Sequence, residues 1–464
     1  MGKLAAGMLA ALGLTAALAA PPQQAWVPMR WPWPDAKSLD ILNGTPINCL
    51  LLETYSTELV AAAGKRGLVT LARLTPRGDA ASAARTAVAR GVTGIVLEGP
   101  FPEEAAAAVR AAAGTQPVIE ITARSRLALG SAAKTLATWQ GVWPGIPAED
   151  SGHSKMAGPT GSVWINTNTG FLRAVRAWGD AAVWIANTPP SNEVVTAERY
   201  LRAIADAAIS GGRWVLALDR DFAARLAAGD ETARANWHRI ASLLSYFEQH
   251  PEWRTMRPAG KLAVVQDPAE GGLLSGGILD MIAVKHTPVM PLPPQRLTAE
   301  SLAGMSVAVD VDAGTLTPSE QTVLRNFARA GGTVLTSPPG FKDVHPPGDS
   351  ITLSKAELDR FNDIWRDVNA LVGRQNLGVR LFNVSTMLSN VLASSDGKTE
   401  IVHLLNYSDY PVENITVQFL GGYRRATLLR PDGAEKPLEV YATEDGSGVD
   451  IDRVAVCATV KLEL

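Results

Sequence analysis

Residues 94–123 read GIVLEGPFPEEAAAAVRAAAGTQPVIEITA. A short apolar run, Gly94–Gly99, is followed by an Ala-rich segment, Pro102–Ala113, and then by a second apolar run, Pro117–Ala123. Pro102 with Glu103 and Glu104 is a helix opening, since acidic side chains in a first turn complement the positive end of the helix dipole. The apolar runs do not alternate with polar residues. Such strands are buried on both faces, as in a parallel sheet. The stretch therefore predicts one β-α-β unit.

The same unit recurs outward in both directions. Strand-like runs lie at Ile47–Glu53, Leu68–Leu74, Gly94–Gly99, Pro117–Ala123, Thr138–Ile146, Ser162–Asn168, Ala181–Asn187 and Arg213–Arg220, starting about 24 residues apart. That spacing fits a strand, a helix and two loops. Eight runs predict an α/β fold built on an irregular (β/α)8 barrel, with an open doubly wound sheet as the alternative. The irregularity comes from Pro147–Gly161 (PAEDSGHSKMAGPTG), which reads as a loop where a helix is due.

Beyond the helix Asp230–Gln249, a new strand begins at Lys261–Gln266, a helical segment lies near Gly277–Val284, and another strand near Ser306–Val311. Thr317-Pro318-Ser319-Glu320 is a capping box that opens a helix to Ala330. Gly331-Gly332 stops it before the strand Thr333–Thr336. From Gly378 the pattern changes to short strands divided by Asp-Gly and Gly-Gly turns: 404–408, Ile415–Leu420, Arg425–Arg430, Leu438–Tyr441 and Val454–Leu462. These predict a small C-terminal β-sandwich.

The whole chain has 464 residues, 43 Lys and Arg against 46 Asp and Glu, and hence a net charge of −3. That balance argues against a nucleic-acid partner, which calls for a basic face. Hydrophobic residues at 46% and charged residues at 19% exclude wholesale disorder. Two cysteines, Cys49 and Cys457, exclude a disulfide scaffold and read as separately buried thiols. The six histidines are scattered without metal-ligand spacing, so neither a metal nor a cofactor is expected. Residues 1–19 have the layout of a signal peptide, one cation (Lys3) before an apolar run ending in Ala17-Leu18-Ala19. No later run of 18 uncharged apolar residues follows, so the expected product is secreted or periplasmic, without a membrane anchor. The expected organisation is signal peptide 1–19, barrel 20–255, a second α/β domain 256–375 and the sandwich 376–464.

This order resembles secreted glycoside-hydrolase-type proteins. The segment LTPSEQTVLRNFARAGGTVLTSP (316–338) is similar to the glutamine-amidotransferase-like trimerisation domain of family-42 beta-galactosidases. The resemblance implies a carbohydrate-related function and a homo-oligomer. It also implies a structural role for that domain, because Ser337-Pro338-Pro339-Gly340 stands where an amidotransferase carries its nucleophilic Cys. The family places an Asn-Glu acid at the end of the fourth strand and a Glu nucleophile after the seventh. Counted from Ile47, the fourth strand is PVIEITAR and the seventh AAVWIANTPP, and neither matches.

In a barrel the active site lies at the C-terminal strand ends. Those ends supply Glu53, Arg73, Glu98, Arg124, Trp143, Asn166 with Asn168, Asn187, and Asp219 with Asp221. Glycoside hydrolysis uses two carboxyl groups, one protonated and one ionised. Glu98, Asp219 and Glu53 are the catalytic candidates. Arg124, Asn166, Asn168, Asn187 and Asp221 are candidates for binding a sugar, and Trp143 for stacking on it. Glu120, inside the fourth run between Ile119 and Ile121, needs a partner if it is buried. The expected function is an exported glycoside hydrolase; the alternative is a non-catalytic carbohydrate-binding or assembly protein that keeps the barrel.

Overall fold

The computed structural model describes residues 20–144, 168–189, 195–266, 286–311, 314–336 and 378–464 except 385 and 434. It also describes the backbone of 147–150 and 153–156, and single positions between 363 and 376. The barrel strands are β1 (Pro28–Trp31), β2 (Cys49–Leu52), β3 (Val69–Leu74), β4 (Gly94–Glu98), β5 (Val118–Thr122) and β6 (Thr135–Thr138), followed by β9 (Ala182–Ile185) and β10 (Arg213–Trp214). Between β6 and β9 a separate antiparallel hairpin, β7 (Pro147–Asp150) and β8 (His153–Met156), replaces the expected loop. The eight barrel strands are parallel and ordered β1-β2-β3-β4-β5-β6-β9-β10. The chain continuing from β10 closes the ring on β1. Arg30 N–H donates to Leu216 O at 2.8 Å, and Leu216 N–H to Pro28 O at 3.1 Å.

The barrel has the eight strands expected from the sequence, but not the same eight. The first strand is Pro28–Trp31, within PMRWPWP, and Ile47–Glu53 is the second. Asn168, expected at the end of a strand, begins the helix α4 (Asn168–Arg176); residues 162–167 lie outside the described ones. The run expected from Thr138 is a strand only at Thr135–Thr138. Gly141 already crosses close over β9, where an added Cβ would stand 2.3 Å from Ile185 Cγ2.

Side chains alternate along each strand. Cys49, Leu51, Val69, Leu71, Val96, Ile119, Ile121, Ala137, Trp184 and Val215 pack together as the barrel interior. Leu50, Leu52, Ala72, Ile95, Leu97 and Ile185 face the other way, onto the helices. Those helices include α1 (Thr57–Lys65), α2 (Ala80–Ala89) and α3 (Glu103–Ala113), with α5 (Ala197–Ile209), α6 (Arg220–Ala228) and α7 (Glu231–Glu248) following β9 and β10. Ser56, Asp79, Asp219 and Asp230 accept hydrogen bonds from first-turn N–H groups and so start α1, α2, α6 and α7. Cys49 and Cys457 are both buried free thiols.

A parallel sheet of four strands follows, in the order Val289–Leu292, Leu262–Val265, Val307–Asp310, Thr333–Thr336. The capping box of Thr317 and Glu320 opens its helix, Pro318–Arg329. Gly277–Val284 lies outside the described residues. The C-terminal part is a sandwich of a six-stranded and a four-stranded sheet over a core that includes Val402, Leu404, Ile415, Val417, Val449, Ile451 and Val460. The expected strand Leu438–Tyr441 is instead the junction between Glu435–Leu438 and Tyr441–Thr443. Arg257–Pro258 pairs with Met387–Ala393 as an edge of the larger sheet. No helix among the described residues is long and apolar enough to cross a membrane.

The sandwich covers α4, α5 and α7, and Leu388, Ile401, Leu405 and Leu429 join the barrel's outer core. Asp206 of α5 is buried at this seam. It accepts hydrogen bonds from Asn168 Nδ2 at 2.6 Å, Thr169 Oγ1 at 3.3 Å and the Tyr407 hydroxyl. Burial pushes its carboxyl above the usual range despite those bonds. His403 is buried beside Trp253 and Phe247, with Nδ1 2.8 Å from Thr459 Oγ1. Burial, and then the nearby His250, lower its pKa to about 3.

Asp206→Ala leaves Asn168 and Tyr407 without their buried acceptor and is expected to cost about 3 kcal/mol, read by urea unfolding. His403 charges only on unfolding as pH falls through its ordinary value near 6.5. Its contribution is therefore full above about pH 6.5 and is lost progressively toward about pH 3. His403→Gln is expected to flatten the fall in unfolding free energy over that window.

Candidate functional site at the barrel mouth

The alternation that fills the barrel with apolar side chains continues for one more layer at the C-terminal end. Above Leu51 comes Glu53, above Leu71 comes Arg73, and above Val96 comes Glu98. Arg30 of β1 joins them, and Trp139, just past β6, packs half-buried on the interior cluster. The mouth thus sets a layer of charge and the Trp139 indole over an apolar floor.

Glu98 sits at the centre. Arg30 forks onto it, Nη1 to Oε2 at 2.7 Å and Nη2 to Oε1 at 2.6 Å. Arg73 Nε donates to Oε2 as well. Arg30 Nη2 also donates to Ala186 O at 2.8 Å, which ties the cluster to the end of β9. Only 13% of the Glu98 side chain is exposed. Burial alone raises the Glu98 pKa, but the bonds and charges of Arg30 and Arg73 more than reverse this and hold it below the usual carboxylate range. Glu98 is therefore ionised at neutral pH. Glu53 reaches the same guanidinium, accepting from Arg73 Nη1 at 3.0 Å, but its side chain is 75% exposed.

Asp219, the third carboxylate candidate, is engaged elsewhere. Its Oδ1 caps α6 through Phe222 N–H at 2.9 Å, and its Oδ2 accepts from the Tyr200 hydroxyl at 2.9 Å. So Glu53 and Glu98 are brought together through Arg73, and Asp219 makes no bond to either.

The binding candidates largely serve the barrel wall. Arg124 is buried, its guanidinium 4.4 Å over the Phe171 ring, with Nε donating to Gln140 O and Nη2 to Asn168 Oδ1. Asn168 is buried between Val142 and Asp206. Asn187 Nδ2 donates to Gly141 O. Trp143, expected as an open platform, is 4% exposed and packs edge-on to Trp214 and Tyr200. The cause is the early end of β6, which places Trp139 rather than Trp143 at the mouth. Asp221 is exposed on α6, 3.6 Å from Arg225. Asn166 lies outside the described residues. Glu120 finds its partner on the outer face, where Arg110 bonds both it and Glu103.

Arg30 escaped the sequence reading because its strand did. Its signal was the placement of a lone cation between Met29 and Trp31 in an apolar run. The corrected count also moves the fourth strand from PVIEITAR to Gly94–Glu98, which ends in Leu97-Glu98. The seventh remains Ala182–Ile185, followed by Ala186-Asn187. Among the described residues no three His, Cys, Asp or Glu side chains gather as a metal site.

No family model matches the chain, and no curated protein matches it. Among solved structures, it is similar to the alpha-L-fucosidase isoenzyme 2 of Paenibacillus thiaminolyticus. The TM-score is 0.60 and the identity 11%, over 96% of this chain and 98% of that one. Looser likenesses are to a rhamnosidase from Novosphingobium sp. PP1Y and a beta-galactosidase from Rahnella sp. R3. The first has TM-score 0.44 and 11% identity, over 88% of this chain and 39% of that one. The second has TM-score 0.38 and 10% identity, over 88% of this chain and 66% of that one. The chain has a glycosidase-like fold.

Glu98→Ala leaves two guanidinium groups facing each other in a half-buried site. It is expected to cost about 3 kcal/mol by chemical denaturation. Replacing Arg30 by Leu in the same protein should recover part of that loss, since the two changes remove one coupled pair.

Proposed function

We propose that the protein recognises a carbohydrate at the open end of its barrel and does not cleave it with Glu98, Asp219 and Glu53. The observation that carries this reading is the double arginine clamp on Glu98. Hydrolysis by a carboxyl pair needs one member protonated near neutral pH. Glu98 is held ionised, Glu53 is an exposed partner of Arg73, and Asp219 is committed to the α6 cap and Tyr200. As a binding surface the same groups are well suited. An ionised carboxylate accepts from sugar hydroxyls, a guanidinium donates to them, and the half-buried Trp139 presents an apolar ring face.

One observation favours a hydrolytic second reading. An ionised, inward-facing carboxylate at the C-terminal end of a barrel strand also suits a nucleophile or base, with the acid supplied by another residue. Glycan-array binding and a panel of aryl glycosides separate the two readings. The expected result is binding without turnover, weakened about tenfold by Glu98→Gln through loss of a charged acceptor. Turnover that Glu98→Gln abolishes would overturn the binding reading and establish the hydrolytic one.

A further inference from the structure

The mouth holds a guanidinium whose outer edge is only half used. Arg73 spends Nε on Glu98 and Nη1 on Glu53, while Nη2 makes no hydrogen bond among the described residues. Arg30, by contrast, has its whole end-on edge on Glu98. The two carboxylates on Arg73 are held very differently. Glu98 is 13% exposed and bonded three times, whereas Glu53 is 75% exposed and held by one bond of 3.0 Å. An exposed pair of that kind contributes little and exchanges readily, whereas a buried clamp does not. Without Glu53, the inner cluster of Arg30, Arg73 and Glu98 carries one net positive charge.

The Nη1–Nη2 edge of a guanidinium matches a carboxylate, taking both oxygens in parallel bonds. Two other groups of the mouth narrow the ligand further. Glu98 Oε1 accepts one hydrogen bond, from Arg30, so it keeps a lone pair for a hydroxyl donor. Trp139, half-buried on the interior cluster, supplies an apolar face. A carboxylate, a hydroxyl and a flat apolar ring face are the features of one chemical class. We propose that the mouth takes an acidic sugar, a hexuronate unit of an oligosaccharide or polysaccharide, whose carboxylate displaces Glu53 and occupies both terminal nitrogens of Arg73. This inference rests on the carbohydrate-binding reading above and names its ligand class.

The test is calorimetric titration of the full chain with trimers of galacturonate and of glucuronate, with their carboxyl-reduced neutral counterparts, and with lactate. The uronate trimer that fits is expected to bind about tenfold more tightly than its neutral counterpart, the worth of a charge-assisted fork. Glu53→Ala, an exposed change that leaves the fold intact, is expected to tighten uronate binding about threefold by removing the competing carboxylate. Neutral trimers should show no such gain from the same change. Neutral trimers binding as tightly as uronates, or uronate affinity unmoved by Glu53→Ala, would overturn the acidic-sugar inference and leave the carbohydrate reading standing. Lactate binding as tightly as the uronates would show a site for simple carboxylates and would also overturn it. If no trimer of either kind binds, the acidic-sugar inference is overturned, and the glycan array decides the carbohydrate reading separately.

Discussion

Charge at the top of an apolar barrel is tolerable only if each charged group is matched, and the Arg30–Glu98–Arg73 cluster is where that condition is met. Desolvating three ions is costly unless their mutual bonds are well formed. Here those bonds connect the C-terminal halves of β1, β3 and β4, and the Arg30 contact to Ala186 O extends the connection to β9. The cluster therefore bears on both the chemistry of the mouth and the closure of the ring. It helps hold β1 in place at a seam where β10 is regular for only two residues. Charge matching inside the barrel and the availability of an ionised Glu98 are one physical arrangement.

A second constraint acts from outside. The helices α4, α5 and α7 are amphipathic on more than one side, and solvent alone cannot satisfy them. The sandwich covers them with an apolar sheet face and places Tyr407, Asn390 and Thr459 against polar groups of the barrel. Arg124 and Asn168, which stand near the mouth in the chain, are drawn into this buried network through Asp206. Residues that suit sugar binding in type are thus engaged in holding the barrel wall to its neighbour.

The fold class was legible because continuous apolar runs and capped Ala-rich helices repeat at a regular interval. Glu98 and Arg73 were legible for the same reason, as polar ends of such runs. The first strand was not, because Pro28–Trp31 lies among prolines and tryptophans and carries an arginine at its centre. That arginine makes sense only opposite Glu98, 68 positions later in the chain. Missing one strand shifted the count and hid the partner that gives Glu98 its character. Trp143 misled for a different reason: the segment after Thr138 is apolar enough for a strand, yet tertiary packing turns it away at Gly141. Periodicity reports burial, and here burial against helices and burial inside the barrel look alike.

The ring closure has a consequence for how the chain is made. Its first strand pairs with Leu216, so the earliest barrel segment to emerge during synthesis must wait for nearly the last before the ring can shut. Even then the faces of α5 and α7 lack the sheet that covers them, whose strand Cys457–Glu463 lies well beyond Leu216 in the sequence. For most of translation the growing polypeptide carries an open sheet edge and uncovered apolar helices, both features that favour association with other chains. Until that strand is in place, the outer helices keep an apolar face that invites such association.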